Sequence, residues 1–170
     1  MATKQNALQK PPHDEHAESA AKVLRRFRVV FNAVKTHFRA VERKAGVSGA
    51  QAWALSAIHA RPGLGVGDLA RAMDVHQSTA SNLLRTLVEA GLVVSSREGE
   101  DRRTVQLYVT AKGQKALARA PAPFEGVLPD ALLRLDEQTL ARLDRDLAKV
   151  IRQLGPQAQG RNVPLGDKEA

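Results

Sequence analysis

A segment between residues 77 and 90 carries closely spaced side chains that could hydrogen-bond to the exposed edges of nucleic acid bases. Amides and hydroxyls donate and accept hydrogen bonds, and an arginine can donate two in parallel, which is the chemistry of direct base reading. Ala80, Leu83, Leu84 and Leu87 recur at helical intervals and predict a helix whose opposite face is polar. The candidate contact residues on this helix are Gln77, Ser78, Thr79, Ser81, Asn82 and Arg85. The alternative is an ordinary solvated helix face.

A charged turn from Arg97 to Arg103 follows this segment. It lies between two stretches typical of strands, residues 92–96 and 104–109, and the second of these alternates apolar and polar residues. The pattern predicts a hairpin with a charged tip. Asp101, Arg102 and Arg103 at this tip are further candidates for DNA contact, and the alternative for them is a surface ion pair worth little.

The flanking patterns supply a scaffold for these candidates. Residues 65–74 predict a short helix with Gly65 at its cap, and Thr110 is predicted to cap the helix that follows the hairpin. The resulting order of helix, turn, helix, hairpin and helix is that of a winged helix. We therefore predict a mainly α fold with a winged helix-turn-helix over residues 63–109.

Long amphipathic helices are predicted on both sides of this region. Apolar residues recur every three or four positions from Ser19 to about Gly46, in a helix about 40 Å long. They recur again up to Leu154 in a helix that Asp136 is predicted to cap. Ser48 is predicted to cap a helix that ends near Arg61. Because a small domain cannot cover such stripes alone, residues 19–62 and 110–154 are assigned to a helical dimerisation region of a homodimer.

Composition excludes several classes of function. The 170 residues include no cysteine, which excludes disulfides and thiolate metal sites in this chain. The first residues lack the apolar core of a signal peptide and no apolar run is long enough to span a membrane, so we expect a cytoplasmic protein without a membrane partner. Residues 1–18 and 155–170 are polar and are predicted to form a flexible arm and a flexible tail.

The formal net charge of +8 is concentrated outside the predicted reading region. Acidic and basic residues balance between Leu64 and Gly113, whereas eight basic residues from Lys22 to Lys44 are accompanied only by Glu42. Three interpretations stay open for this basic helix: contact with DNA phosphates, a pocket for an anionic ligand, or a solvated face.

Other motifs give little support for catalysis or cofactor binding. The glycine-rich stretch 63–67 follows a predicted helix and lacks the Lys-Ser/Thr ending of a phosphate-binding loop. His13 and His16, with the acids between them, could chelate a metal but are more typical of a solvated arm. No HExxH or GxSxG motif is present. We therefore predict no enzyme activity, no catalytic residues, no metal and no cofactor.

The combined pattern resembles the MarR family of winged-helix regulators. The resemblance runs from about Val23 to Leu154 and is most specific over residues 69–73, 78–81, 91–93 and 101–103. It implies a homodimer with each recognition helix in a major groove, and with Arg103, oriented by Asp101, near a minor groove. The partner is then double-stranded DNA with a pseudo-palindromic operator.

The resemblance also implies a response to a small molecule. Family members often bind small aromatic acids, so the protein is expected to be a repressor that such an effector releases from DNA. The candidate ligand residues are Trp53, which could stack on the ring, and His37, Arg43 and His59, which could meet its carboxylate. Core packing is the alternative for Trp53.

Departures from the family pattern keep two other functions open. His76 stands where the family often has a capping serine, and Gln77 and Asn82 stand where basic residues are common, so no DNA sequence preference is carried over. One alternative is a nonspecific or architectural DNA-binding protein without a ligand. The other is a winged helix used for protein contacts.

Overall fold

The computed structural model describes residues 12–96 and 105–155. These residues form a mainly α fold with one two-stranded antiparallel sheet, as the sequence predicts. The elements in chain order are α1 (Pro12–Ala45), α2 (Gly49–Ala60), α3 (Val66–Ala72), α4 (Gln77–Glu89), β1 (Val93–Ser96), β2 (Gln106–Val109), α5 (Ala111–Arg119), α6 (Val127–Leu133) and α7 (Glu137–Gln153).

The chain divides into two compact units at the boundary between Ala33 and Val34, within α1. The described part of the first unit is a single helical segment. Its apolar residues lie largely in solvent: Phe31 is 55% exposed and stacks on Phe27, with the two ring centroids 6.1 Å apart.

The second unit contains a hydrophobic core centred on α2. Ala52, Ala54, Leu55 and Ile58 of this helix are fully buried. They pack with residues from α3, α4 and both strands, which include Leu69, Leu87, Val93 and Leu107. Because α2 is buried on most of its circumference, the other elements are arranged around it.

Hydrogen bonds at the helix ends confirm three predicted caps. Ser48 Oγ accepts from the backbone N–H of Gln51, Thr110 Oγ1 accepts from that of Gly113, and Asp136 Oδ1 accepts from that of Thr139. Hydrogen bonds from the Thr139 side chain and backbone lower the pKa of Asp136, so this carboxylate stays charged at the start of α7.

Two elements differ from the sequence prediction. Helix α1 begins at Pro12 rather than Ser19, so residues 12–18, predicted to belong to a flexible arm, are helical. Proline is compatible with a first helical position, where no backbone N–H is needed. Helix α6 was not predicted, because its seven residues are too short to show a period.

The hairpin is tied to the rest of the second unit at both ends. Val93 pairs with Val109 and Ser96 with Gln106, and Leu64 adds a bridge to Leu107. At the other end, Gly113 in α5 lies against Leu92, which directly precedes β1, and against Val109 of β2. A Cβ atom at Gly113 would overlap the carbonyl oxygen of Leu92, and would lie 2.7 Å from Val109 Cγ1.

Replacing Gly113 with alanine is therefore expected to destabilise the fold by about 1–3 kcal/mol, since backbone must move to admit the methyl group. Thermal denaturation followed by circular dichroism measures this. Gly67→Ala is the matched control, because the nearest atom to its new Cβ is 3.9 Å away, and it should raise stability by up to about 1 kcal/mol. Equal melting temperatures for both variants would contradict the close approach.

Candidate nucleic-acid interface

Helix α4 has one buried face and one exposed face. Ala80, Leu83 and Leu87 are between 0 and 6% exposed and belong to the packed interior, and Leu84 packs partly buried against it. Five of the six predicted contact residues on this helix are exposed, and Thr79 is half-buried. The exposed five are Gln77, Ser78, Ser81, Asn82 and Arg85. The structure therefore brings them together on one outward face, as predicted.

The hydrogen-bonding state of these side chains bears on what they can bind. Ser81 Oγ donates to the backbone carbonyl of Gln77 over 2.8 Å, so its proton is used within the helix while its lone pairs can still accept. Among the residues that the structure describes, Gln77, Asn82 and Arg85 make no side-chain hydrogen bond to the protein. Their donors and acceptors thus face solvent and can be used by a ligand.

The start of α4 has no side chain that satisfies its first amides. His76 occupies the N-cap position with extended backbone angles, but its side chain makes no capping hydrogen bond. The first backbone N–H groups of a helix point outward with a partial positive charge, which favours an anion. His76 therefore does not replace the capping serine that is common at this position in the family.

The end of α4 is fixed to the hairpin and to α5. Gly91 adopts a φ of 68°, and the backbone N–H of Leu92 returns to the carbonyl of Leu87 over 2.9 Å. Lys112 Nζ donates to the carbonyl of Ala90 over 2.7 Å, where a cation meets the negative end of the helix. The sequence predictions missed this role of Lys112, which only the fold brings near Ala90.

The two strands of the predicted wing are present, but their connecting tip is not described. Residues 97–104 lie outside the described part of the chain. The predictions for Asp101, Arg102 and Arg103 therefore fall on residues of which the structure gives no account. Tyr108, on the outer face of β2, donates its hydroxyl to Gln106 Oε1 over 2.8 Å.

No hydrogen bond or ring contact joins the four predicted ligand residues to one another within residues 12–96 and 105–155. His37 Nε2 bonds to the carbonyl oxygen of Pro123 over 3.0 Å, and Trp53 packs half-buried against the interior. Arg43 and His59 are exposed. Residues six apart on a helix point about 120° apart, which separates Arg43 from His37 and His59 from Trp53.

Metal binding and membrane spanning each need a particular arrangement of residues within the described ranges 12–96 and 105–155. No group of His, Cys, Asp and Glu side chains there is arranged to hold a metal ion. No helix among them combines the length and apolarity needed to cross a membrane.

The fold and the outward polar helix define a winged-helix protein. A family model described as MarR family matches residues 45–104, which run from the end of α1 into the hairpin. Over these residues the chain is therefore similar to the MarR family. The predicted resemblance to this family and the predicted fold class are thereby confirmed.

One relative supports this similarity. The chain is 33% identical over 111 residues to a Thauera aromatica protein assigned as a transcriptional regulatory protein for the hcr operon. The match covers 65% of this chain and 62% of that relative, so it spans less than two thirds of the relative's length.

Two solved structures share the fold. A Staphylococcus aureus MepR–DNA complex matches with a TM-score of 0.52 and 23% identity, over 75% of this chain and 94% of that one. A MarR family transcription regulator matches with a TM-score of 0.53 and 18% identity, over 89% of this chain and 100% of the other.

Proposed function

We propose that this protein binds a specific sequence in double-stranded DNA and regulates transcription from it. The observation that carries the proposal is the outward face of α4, where amide, hydroxyl and guanidinium groups face solvent over a rigid apolar support. A helix of this kind fits the major groove, where base pairs present distinct patterns of donors and acceptors.

Three side chains on this face have matching hydrogen-bonding partners on DNA bases. Gln77 and Asn82 can bind adenine through its N6 and N7 atoms, and Arg85 can bind guanine through O6 and N7. The uncapped amides at the start of α4 suit a backbone phosphate, which fixes register without reading sequence. In the same proposal Arg103 of the wing enters a minor groove, where Asp101 orients it and Arg102 lies beside it.

Replacing Arg85 with alanine is expected to weaken binding to the preferred DNA by about 1–3 kcal/mol and to relax specificity at the base it contacts. Binding is measured by fluorescence anisotropy, after the preferred sequence has been selected from random duplexes.

Arg119→Ala is the matched control, since it removes the same charge from α5 and leaves the outward face of α4 intact. A regulator binds its preferred sequence at least about a thousandfold more tightly than random DNA. A steep salt dependence without such a preference would indicate the architectural alternative. No DNA binding at modest salt would indicate a winged helix for protein contacts.

We also propose that the active form is a homodimer that binds a pseudo-palindromic operator. Most of the exposed large apolar residues lie on α1 and on α6–α7 rather than near α4. No residue of α7 is buried, although Val150, Ile151 and Leu154 repeat at helical spacing. A second copy that covers these stripes removes their apolar surface from water and places two α4 helices about one DNA turn apart.

Substituting Phe31 with aspartate is expected to dissociate the dimer, because this apolar side chain would be buried against the second copy. Sedimentation equilibrium measures the change in mass. Val29→Asp is the matched control: Val29 is 69% exposed and lies about 160° around the same helix from Phe31, among arginines. A wild-type monomer, or equal dimerisation of both variants, would contradict the interface.

The proposed regulation is repression that a small aromatic acid relieves. Support comes from Trp53, whose half-buried indole packs against the core of the second unit. An aromatic ligand could stack on its exposed part without unfolding the core. A ligand of this kind would oppose DNA binding only by preferring a dimer whose α4 spacing no longer fits the operator.

Titration with benzoate and salicylate is expected to quench the fluorescence of Trp53 and to weaken operator binding over the same concentration range. Benzyl alcohol, which keeps the aromatic ring but lacks a carboxylate, is the control ligand. Unchanged fluorescence together with unchanged operator affinity would remove aromatic acids from the proposal.

A further inference from the structure

A side-chain hydrogen bond joins α2 to α4 near the C-terminal end of α4. Gln51 Nε2 donates to Thr86 Oγ1 over 3.3 Å. Thr86 Oγ1 in turn donates to the backbone carbonyl of Leu83 over 2.7 Å. Within the described ranges, this is the side-chain hydrogen bond that connects the two helices.

Both ends of the Gln51 amide are engaged. Its Oε1 accepts from the backbone N–H of Ser48 over 2.9 Å, while the backbone N–H of Gln51 donates to Ser48 Oγ over 3.2 Å. This capping box holds the side chain against the start of α2. Turning the amide over would lose the bonds to both Ser48 and Thr86, so the Nε2 group is aimed at α4.

The hydroxyl of Thr86 suits this arrangement. It carries one proton, which goes to Leu83, and lone pairs, one of which receives the Gln51 proton. A valine at this position would keep the shape and lose both bonds, whereas a serine would keep both.

We propose that Gln51 is a positioning residue that fixes the rotation of α4 for DNA binding. The inference rests on the proposed function. Apolar packing of Leu83 and Leu87 determines which face of α4 is buried, and a hydrogen bond, which is directional, adds a finer constraint on the rotation of the helix. Binding groups must be held within about 0.5 Å and 10–20° of their productive geometry, so a small rotation of α4 matters.

The same bond connects α4 to the corner at which α1 ends. Ser48 follows Gly46 and Val47, which link α1 to α2, and Gln51 is bonded to Ser48 and to Thr86. A displacement of this corner can therefore reach α4 through Gln51, in addition to the apolar packing between α2 and α4. The end of α1 is thus linked to α4 by a short chain of hydrogen bonds through Ser48 and Gln51.

Thr86→Val tests the proposal without changing charge. It is expected to raise the dissociation constant for the preferred DNA about threefold per protomer and about tenfold for a dimer, which is the ordinary worth of one hydrogen bond in each copy. Thr86→Ser is the matched control and should bind within about twofold of wild type.

Gln51→Glu separates positioning from folding. Glutamate keeps the oxygen that accepts from Ser48, and an acid in the first turn of a helix is favourable, so the melting temperature should not fall. It loses the donor to Thr86, and the Thr86 hydroxyl can bond to the new carboxylate only by withdrawing its proton from the carbonyl of Leu83. DNA binding should therefore weaken, but less than in Thr86→Val. In the double variant Gln51→Glu, Thr86→Val, the two losses of DNA affinity should not add, because both changes remove the same hydrogen bond. If glutamate instead weakens binding by repelling DNA phosphates, that loss would add to the loss caused by valine.

Wild-type affinity in folded Thr86→Val, or additive losses in the double variant, would overturn the proposal. If the wild-type protein selects no DNA sequence, the proposed function fails, and hydrogen exchange in the DNA-free protein still decides the inference. Faster exchange of the last amides of α4 in Thr86→Val and Gln51→Glu, but not in Thr86→Ser, supports it. Unchanged exchange overturns it.

Discussion

Burial of one face of α4 is the interaction on which the candidate site depends. Ala80, Leu83 and Leu87 enter the interior formed around α2, and this fixes which residues of the same helix must face water. Since the buried positions recur every three or four residues, the intervening positions can be polar at no cost to the interior. The outward row of hydrogen-bonding groups is therefore a consequence of packing, and its chemistry is free to vary while the fold stays the same.

The support beneath α4 combines large buried side chains with close approaches of the backbone. Helix α2 contributes buried alanines beside Leu55 and Ile58, and Gly113 allows α5 to lie against the backbone of Leu92, just before β1. Short side chains have little rotamer freedom, so helices that meet through them hold a defined separation. The hairpin, α4 and α5 are thus joined by backbone contacts, to which Lys112 adds its bond to the end of α4.

Local chemistry was readable from the sequence, whereas long-range partners were not. The caps at Ser48, Thr110 and Asp136 follow from residue type beside an apolar period, and the structure has all three. The start of α1 at Pro12 and the short α6 were missed because polar or brief segments carry no period. The bond from Gln51 to Thr86 spans 35 positions, and only packing brings such residues together.

Most of the exposed large apolar residues and the exposed polar residues of α4 lie on different elements of the chain. Apolar residues are exposed on α1 and α7, whereas the outward face of α4 is polar, so the surface suited to a second copy is distinct from the surface suited to DNA. In the proposed dimer, two reading helices joined through one interface bind far more tightly than either alone, provided that their separation matches the groove. A loose α4 would forfeit that gain, which is why its fixed end at Ala90 and its bonded Thr86 matter as much as the groups that face outward.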